Sequence, residues 1–335
     1  MKLIDLAAVY RARRAIAGQV TRTPLIPAFS LSDEHTEVRL KLETTQPTGA
    51  FKLRGAVNAL ANLSEAQLAR GVVCASTGNH GRALAWAASQ RGARATICMS
   101  SLVPGNKVEA IRALGAEIRI HGRSQDEAQE LVDKLVAEQG MSEIPPFDHA
   151  DVIAGQGTIG LEILEDWPEV DTLIIGLSGG GLLSGIALAA KAIKPDIHII
   201  GVSPERGAAM AASLQAGEPV EVEELETLAD SLGGGIGLAN RYTFDHVRTL
   251  MDHYVLLNEQ EIARSQCHIY RQEQLVAEGA STLGAALLLE PERRQALGDL
   301  LGKRVAIILS GRNVDMDDFT AIVNGSHRVW EKTER

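Results

Sequence analysis

At 335 residues the chain is long enough to bury a large core, and chains of this length usually divide into two domains. A formal net charge of −10 argues against a nucleic-acid surface, and no apolar run approaches the length of a membrane span. Cys74, Cys98 and Cys267 lie far apart with no CxxC pair, which fits small core thiols in a reducing compartment; Asp5 interrupts the first apolar run, so no signal peptide is read and a soluble cytoplasmic protein is expected.

Residues 1–19 show helical spacing (Leu3, Leu6, Ala7, Tyr10, Arg14, Ile16), and Thr21-Arg22-Thr23-Pro24 breaks it. Val38–Glu43 alternates as a strand, the loop Thr44–Gly49 follows, and a helix is expected over Ala56–Leu63. Strand, turn and helix then repeat. Strands are expected at Val72–Ala75, Ala95–Met99 and Glu117–Ile120, and helices at Arg82–Gln90, Lys107–Leu114 and Ser124–Glu138, the last with a Ser124/Glu127 capping box. Pro145-Pro146 marks a crossing between domains. The alternation resumes with a helix over Val152–Asp166, strands at Thr172–Gly176 and Ile197–Val202, helices near Glu259–Glu273 and Ser281–Leu289, and a last strand at Arg304–Leu309. Such alternation implies parallel sheets covered by helices on both faces. Little chain follows Asp315, so no appended regulatory domain is expected.

The chain is organised around Thr48-Gly49-Ala50-Phe51-Lys52-Leu53-Arg54-Gly55-Ala56. Most lysines sit on solvated surfaces, but burial or a cationic neighbour lowers the pKa of an amine and lets it form a Schiff base. Arg54 is the candidate neighbour, with Phe51 and Leu53 to exclude water. Leu177-Ser178-Gly179-Gly180-Gly181-Leu182 follows a strand and opens a helix, so backbone N–H groups and the helix N-terminus can converge on a phosphate. It carries neither a Walker lysine nor GxGxxG spacing. Ser76-Thr77-Gly78-Asn79-His80-Gly81 likewise follows a strand, where hydroxyl and N–H groups can hold a carboxylate; His80 reads as a structural histidine rather than a base. Ser310 ends a strand and can serve a ring nitrogen, and Glu278 sits at a helix start where the dipole alone accounts for a carboxylate. A Schiff-base lysine, a phosphate cradle and an Asn-bearing turn together indicate pyridoxal phosphate.

These motifs resemble the fold type II pyridoxal-phosphate enzymes, specifically the threonine dehydratase and serine racemase family, from Thr23-Pro24-Leu25 to Asn313-Val314-Asp315. The resemblance implies an α/β fold of two three-layer αβα domains with twisted, mostly parallel sheets, like the tryptophan synthase β subunit. It implies a large cofactor-binding domain (1–64 and 149–335), a small mobile substrate-closing domain (65–148), and a homodimer. By the match Lys52 looks like the lysine that holds the cofactor covalently and Phe51 like its ring-packing neighbour. Asn79 looks like the partner of the phenolic oxygen, Gly179, Gly180, Gly181 and Leu182 like the phosphate loop, and Ser310 like the partner of the pyridine nitrogen, with Glu278 beside the cofactor. Ser76, Thr77, Asn79 and His80 look like the loop that closes on the substrate carboxylate, with Gly234 of a second glycine loop, Leu232-Gly233-Gly234-Gly235-Ile236-Gly237, alongside.

Within the family the chain is similar to the hydroxyectoine utilization dehydratases, on Gly49–Ala56, Glu205–Leu214, Ala229–Gly237 and Leu309–Asn313. Three positions depart from the racemase-like branch. Thr77 replaces a serine poised to reprotonate the opposite face. Ala211 replaces the Asp of a cation site whose Glu is matched by Glu205, so no metal is expected. Arg312 replaces a Gly near the ring nitrogen. The implied activity is a lyase that eliminates the β-hydroxyl of a 3-hydroxy-2-amino acid to give a 2-oxo acid and ammonia, Lys52 acting as the base and Thr77 beside it. Two alternatives stand: a catabolic threonine/serine dehydratase, and a non-catalytic amino-acid-binding protein of the same fold.

Overall fold

The computed structural model describes residues 4–331 apart from Thr77, Leu102 and Pro104, and omits the side chains of Asn106, Lys107, Gln125 and Asp126. In chain order the elements are α1 (Leu6–Ala15), β1 (Leu25–Pro27), β2 (Glu37–Leu42), α2 (Lys52–Ala61), α3 (Glu65–Arg70), β3 (Val72–Ala75), α4 (Asn79–Gln90), β4 (Ala95–Met99), α5 (Gly105–Arg112), β5 (Glu117–Ile120), α6 (Gln125–Gln139) and β6 (Ser142–Glu143). There follow α7 (Ala150–Asp166), β7 (Thr172–Gly176), α8 (Gly181–Ile193), β8 (His198–Pro204), α9 (Ala209–Ala216), α10 (Thr243–Leu250), β9 (His253–Leu257), α11 (Glu259–Gln272), α12 (Gly279–Leu289), α13 (Pro291–Ala296), β10 (Arg304–Leu309) and α14 (Met316–Val323).

The strands form two sheets. One runs β1-β2-β10-β7-β8-β9, parallel except for β1, which pairs antiparallel with β2. The other, β5-β4-β3-β6, is wholly parallel. Period-two alternation sends Leu40, Leu42, Ile174, Ile307 and Leu309 into one hydrophobic cluster and Leu173, Ile175, Ala306 and Ile308 into another, so helices cover both faces of the larger sheet. In the smaller sheet Val72, Cys74, Ile97 and Met99 face one cluster, and Val73, Ala75 and Cys98 the opposite one. Each fully buried Leu or Ile contributes roughly 1.5–3 kcal/mol of transfer free energy. Among the described residues no helix is long and apolar enough to cross a membrane.

β10 lies between β2 and β7, the strands that precede the lysine loop and the glycine loop. The carboxyl ends of these three strands therefore open onto one crevice, the place where parallel α/β sheets bind ligands. The Ser124/Glu127 capping box forms as the spacing predicts, and two more occur at Ser64/Gln67 and Asn258/Glu261. One boundary differs from expectation with consequence: α2 begins at Lys52, not at Ala56.

Candidate active site

The lysine loop is zipped onto the chain that leaves β10. Ala50 bridges Gly311, Phe51 N donates to Ser310 O at 2.9 Å, and Arg312 N donates to Gly49 O at 2.9 Å. Gly49 turns the chain at φ +76°, a conformation that favours glycine. The zipper delivers Lys52 as the first residue of α2. Its Nζ donates to Pro146 O at 2.7 Å and lies 5.2 Å from the Phe51 ring centroid. Burial pushes the Lys52 amine from 10.5 down to about 8; Glu278 and Cys74 pull the other way.

Arg54 is not the cationic neighbour expected from sequence. Two residues along a helix is about 200° of rotation, so Arg54 points into the core on the far side of α2. There Nε and Nη2 donate to the Glu43 carboxylate at 2.8 Å each and Nη1 donates to Glu162 Oε1 at 2.6 Å, while Lys41 Nζ meets Glu162 Oε2 at 2.6 Å. The four charges are buried together. They tie α2 to β2 and α7, and desolvation is what lowers the Lys52 pKa.

Asn79 opens α4 at the carboxyl end of β3. Its Nδ2 donates to Glu278 Oε1 at 2.9 Å and Oε2 at 3.1 Å, and its Oδ1 accepts from Asn313 Nδ2 at 2.6 Å. Glu278 precedes α12, but its side chain makes no capping bond; it turns into the site, where Ser231 Oγ also donates at 3.0 Å. The helix dipole is therefore not its explanation. Burial, then Asp230, raise Glu278 to about 7, against the donors Asn79, Ser231 and the Asn313 backbone. Ser310 Oγ lies 3.0 Å from Ser281 Oγ, which gives its own proton to Gly311 O at 2.7 Å. Ser310 therefore faces a hydroxyl, with no carboxylate hydrogen-bonded to it among the described residues.

His80 Nε2 donates to Ile144 O at 2.7 Å, and burial first, then the Lys52 charge, push the imidazole down to about 3. The imidazole is therefore neutral, with Nε2 committed to a peptide carbonyl. Ser76 Oγ accepts from Gly81 N at 3.1 Å. Thr77 lies outside the described residues. Gly234 sits three residues beyond Ser231 at φ +90°. Glu205 approaches Arg293 at 3.7 Å, and the described residues hold no cluster of His, Cys, Asp or Glu suited to a metal.

At the glycine loop, Gly180 adopts φ +84° and α8 begins at Gly181. The N–H groups of Gly179, Gly180, Gly181 and Leu182 meet no acceptor among the described residues. A Cβ at Gly179 would stand 2.4 Å from the Phe147 ring, and one at Gly181 would stand 2.9 Å from Phe147 Cα. These glycines thus admit Phe147 as well as leaving the amides bare. Thr48 Oγ1 and His80 Nδ1 are buried without a partner among the described residues. A lysine of lowered pKa, open amides at a helix N-terminus and a hydroxyl at the end of β10 suit an aldehyde, a phosphate and a pyridine nitrogen respectively. Phe147, Ser231, Ser281 and Asn313 complete the site and were not singled out from sequence; Asn313, three residues past Ser310 at a strand end, offered the best signal.

Comparison with known proteins identifies the family. Residues 16–311 match the family described as pyridoxal-phosphate dependent enzyme. The chain is 53% identical over 330 residues to a Sinorhizobium fredii protein named "Putative threonine dehydratase", covering 98% of both chains. It is 40% identical to the L-threonine ammonia-lyase of Thermotoga maritima, covering 96% of this chain and 79% of the other. It superposes on maize serine racemase with a TM-score of 0.89 at 34% identity, covering 97% of this chain and 100% of the other. The fold is the type II fold of pyridoxal-phosphate enzymes, and the chain belongs to the pyridoxal-phosphate-dependent enzyme family, in its threonine dehydratase and ammonia-lyase group. Its cofactor is pyridoxal phosphate.

Proposed function

We propose that the protein eliminates the β-hydroxyl of a 3-hydroxy-2-amino acid, yielding a 2-oxo acid and ammonia, and that its substrate arises from hydroxyectoine. The observation that carries the reaction class is Lys52, an amine with a pKa of about 8 that donates to Pro146 O beside the Phe51 ring, with Glu278 acting on it through space. Pyridoxal phosphate, when bound, supplies an electron sink for an amino acid's α-carbon. The amides of Gly179, Gly180, Gly181 and Leu182 would hold its phosphate, Asn79 would donate to its phenolic oxygen, Phe51 would pack at the ring, and Ser310 would serve the ring nitrogen. Lys52 Nζ, neutral in a sizeable fraction at neutral pH, takes the α-proton. A neutral Ser310 hydroxyl would not favour a protonated ring nitrogen, and the β-hydroxyl would leave as water with the proton that Lys52 Nζ took from the α-carbon. The enamine released takes up water, giving the oxo acid and ammonia. On the family resemblance, the loop carrying Ser76, Thr77, Asn79 and His80, with Gly234, would border the substrate.

Hydroxyectoine holds its nitrogens in a cyclic amidine and offers no free α-amine. One ring-opened regioisomer, an N-acetylated 3-hydroxy-2,4-diaminobutyrate, has both a free α-amine and a β-hydroxyl and suits this site. The four stretches similar to hydroxyectoine utilization dehydratases support that assignment. A second reading, a catabolic threonine/serine dehydratase, is supported by the Sinorhizobium fredii and Thermotoga maritima relatives, while a Saccharomyces cerevisiae relative named L-threo-3-hydroxyaspartate ammonia-lyase, 38% identical over 95% of both chains, supports the reaction class alone. We also infer that residues 65–148 close over the substrate as a small domain, and that the enzyme is a cytoplasmic homodimer.

The test is a product assay on the cofactor-loaded protein with threonine, serine, 3-hydroxyaspartate, hydroxyectoine and its ring-opened forms. Turnover confined to the ring-opened compound is expected. Fast turnover of threonine or serine would establish the second reading, and turnover retained by Lys52→Ala would overturn the mechanism.

A further inference from the structure

Asn313 makes side-chain contacts that no step above uses. Its Oδ1 accepts from Arg82 Nη1 at 3.2 Å, and its Nδ2 donates to Thr48 O at 2.9 Å and to Asn79 Oδ1 at 2.6 Å. Its backbone N–H is a donor to Glu278. The backbone on either side is pinned as well: Arg312 N donates to Gly49 O, and Val314 N to Arg312 O, at 2.9 Å each. Room for the amide is built in, since a Cβ at Gly49 would stand 2.7 Å from Asn313 Oδ1.

An amide has a donor end and an acceptor end, and geometry alone does not say which faces a ligand. At Asn313 the choice is forced. Arg82 has only donors, so it fixes Oδ1; Thr48 O only accepts, so it fixes Nδ2. The fixed Nδ2 then requires an acceptor from Asn79, which turns Asn79 Nδ2 toward Glu278 and the crevice. Arg82, Asn313, Asn79 and Glu278 form one directional chain joining α4 to the segment after β10.

We propose that Asn313 is a positioning residue that sets the polarity of the Asn79 amide, holding its N–H₂ toward the cofactor's phenolic oxygen. The inference rests on the reading of Asn79 as that oxygen's donor. Substituting Asn313→Asp keeps the size and strengthens the bond to Arg82, but it places an acceptor 2.6 Å from Asn79 Oδ1. Relieving that clash turns Asn79 Oδ1 toward Glu278 and the site, a contact that Glu278 accommodates by taking up a proton. The more conservative change is the more damaging one: Asn313→Ala releases the Asn79 amide, whereas Asn313→Asp inverts it.

The experiment is a pH titration of the bound cofactor's visible absorbance, with cofactor affinity measured in parallel, on wild type, Asn313→Asp, Asn313→Ala and Asn79→Ala. An acceptor facing the phenolic oxygen disfavours its deprotonated form. The titration midpoint should therefore rise in Asn313→Asp and cofactor affinity fall about tenfold, the worth of one hydrogen bond of ordinary strength. Asn313→Ala should fall between Asn313→Asp and wild type. A wild-type midpoint in Asn313→Asp, or a larger effect in Asn313→Ala, overturns the proposal. If Asn313→Asp does not fold, Asn313→Ala decides, and a wild-type midpoint there is fatal. A midpoint unmoved by Asn79→Ala removes Asn79 as the donor, and this inference with it. Movement in Asn79→Ala with none at position 313 removes this inference alone.

Discussion

Covalent capture of pyridoxal phosphate by the apoprotein tests the physical state of Lys52 directly. Only the neutral amine attacks an aldehyde. An amine of ordinary pKa 10.5 is neutral in about 0.03% of molecules at pH 7, whereas one at about 8 is neutral in about one-tenth, roughly a 300-fold gain. The capture rate should therefore climb about tenfold per pH unit below pH 8 and level off above it. Trapping with borohydride and mapping the modified peptide to Lys52 gives the assay. In Glu278→Gln the carboxylate that raises Lys52 is gone, so the plateau should begin at a lower pH. Stability provides a second readout. The folded-state pKa is depressed, so between about 8 and 10.5 the unfolded chain binds more protons, and stability rises as pH increases through that window, by on the order of 3 kcal/mol in all. Lys52→Met removes the cost of burying the charge and should stabilise the apoprotein below pH 8. A capture rate still climbing at pH 10, or a plateau moved upward by Glu278→Gln, would refute the account of Lys52.

Three further outcomes are expected. Arg54→Met leaves Glu43 and Glu162 buried without their main partner, so chemical denaturation should show a loss of about 3–5 kcal/mol, against almost none for Arg11→Met on the surface. Gly179→Ala drives a methyl into the Phe147 ring and should weaken cofactor binding in equilibrium dialysis, with Phe147→Leu in the same chain recovering part of the loss. His80, pushed down to about 3, contributes stability that is lost as pH falls below 6.5, by about 1.4 kcal/mol per pH unit; wild type and His80→Leu should therefore converge in stability on acidification between pH 6.5 and 4.

Much of the fold was legible because its signals are local. The runs at Val72–Ala75, Ala95–Met99, Glu117–Ile120, Thr172–Gly176 and Arg304–Leu309 became strands with the expected bounds. Gly176 ends one of these runs and Ser76, Ser100 and Ser310 follow three others, and the turns after β7 and β10 are loops that meet at the crevice. β1 was not read, since three residues behind Thr23-Pro24 carry almost no periodicity; β9 carried a readable run, Tyr254-Val255-Leu256-Leu257, that a helix-dominated stretch concealed. The site's polar wiring was illegible for a different reason. Asn79 meets Glu278 across 199 positions and Asn313 across 234, and Arg54 meets Glu162 across 108. No spacing rule reaches that far, and only the return of β10 between β2 and β7 brings these residues together. The glycine loop shows a subtler limit. Its composition announced an anion cradle, while the reason Gly179 tolerates no methyl is Phe147, 32 positions upstream in the crossing between the sheets.

The boundary of α2 links these observations. Reading Lys52, Leu53 and Arg54 as loop made the two cations neighbours, because an extended chain can bend them together. Starting the helix at Lys52 separates them by about 200° and assigns them opposite tasks. Arg54 needs two buried carboxylates, and they are affordable only because it is a rigid fork that satisfies both. Lys52 must have no carboxylate within hydrogen-bond reach, or its pKa would climb and the base would be lost; its Nζ bonds a peptide carbonyl, and Glu278 acts on it only through space. The zipper of Gly49, Ala50 and Phe51 on Ser310, Gly311 and Arg312 fixes that starting point. The loop between a strand and its helix thus decides which of two cationic side chains is anchored and which is left reactive.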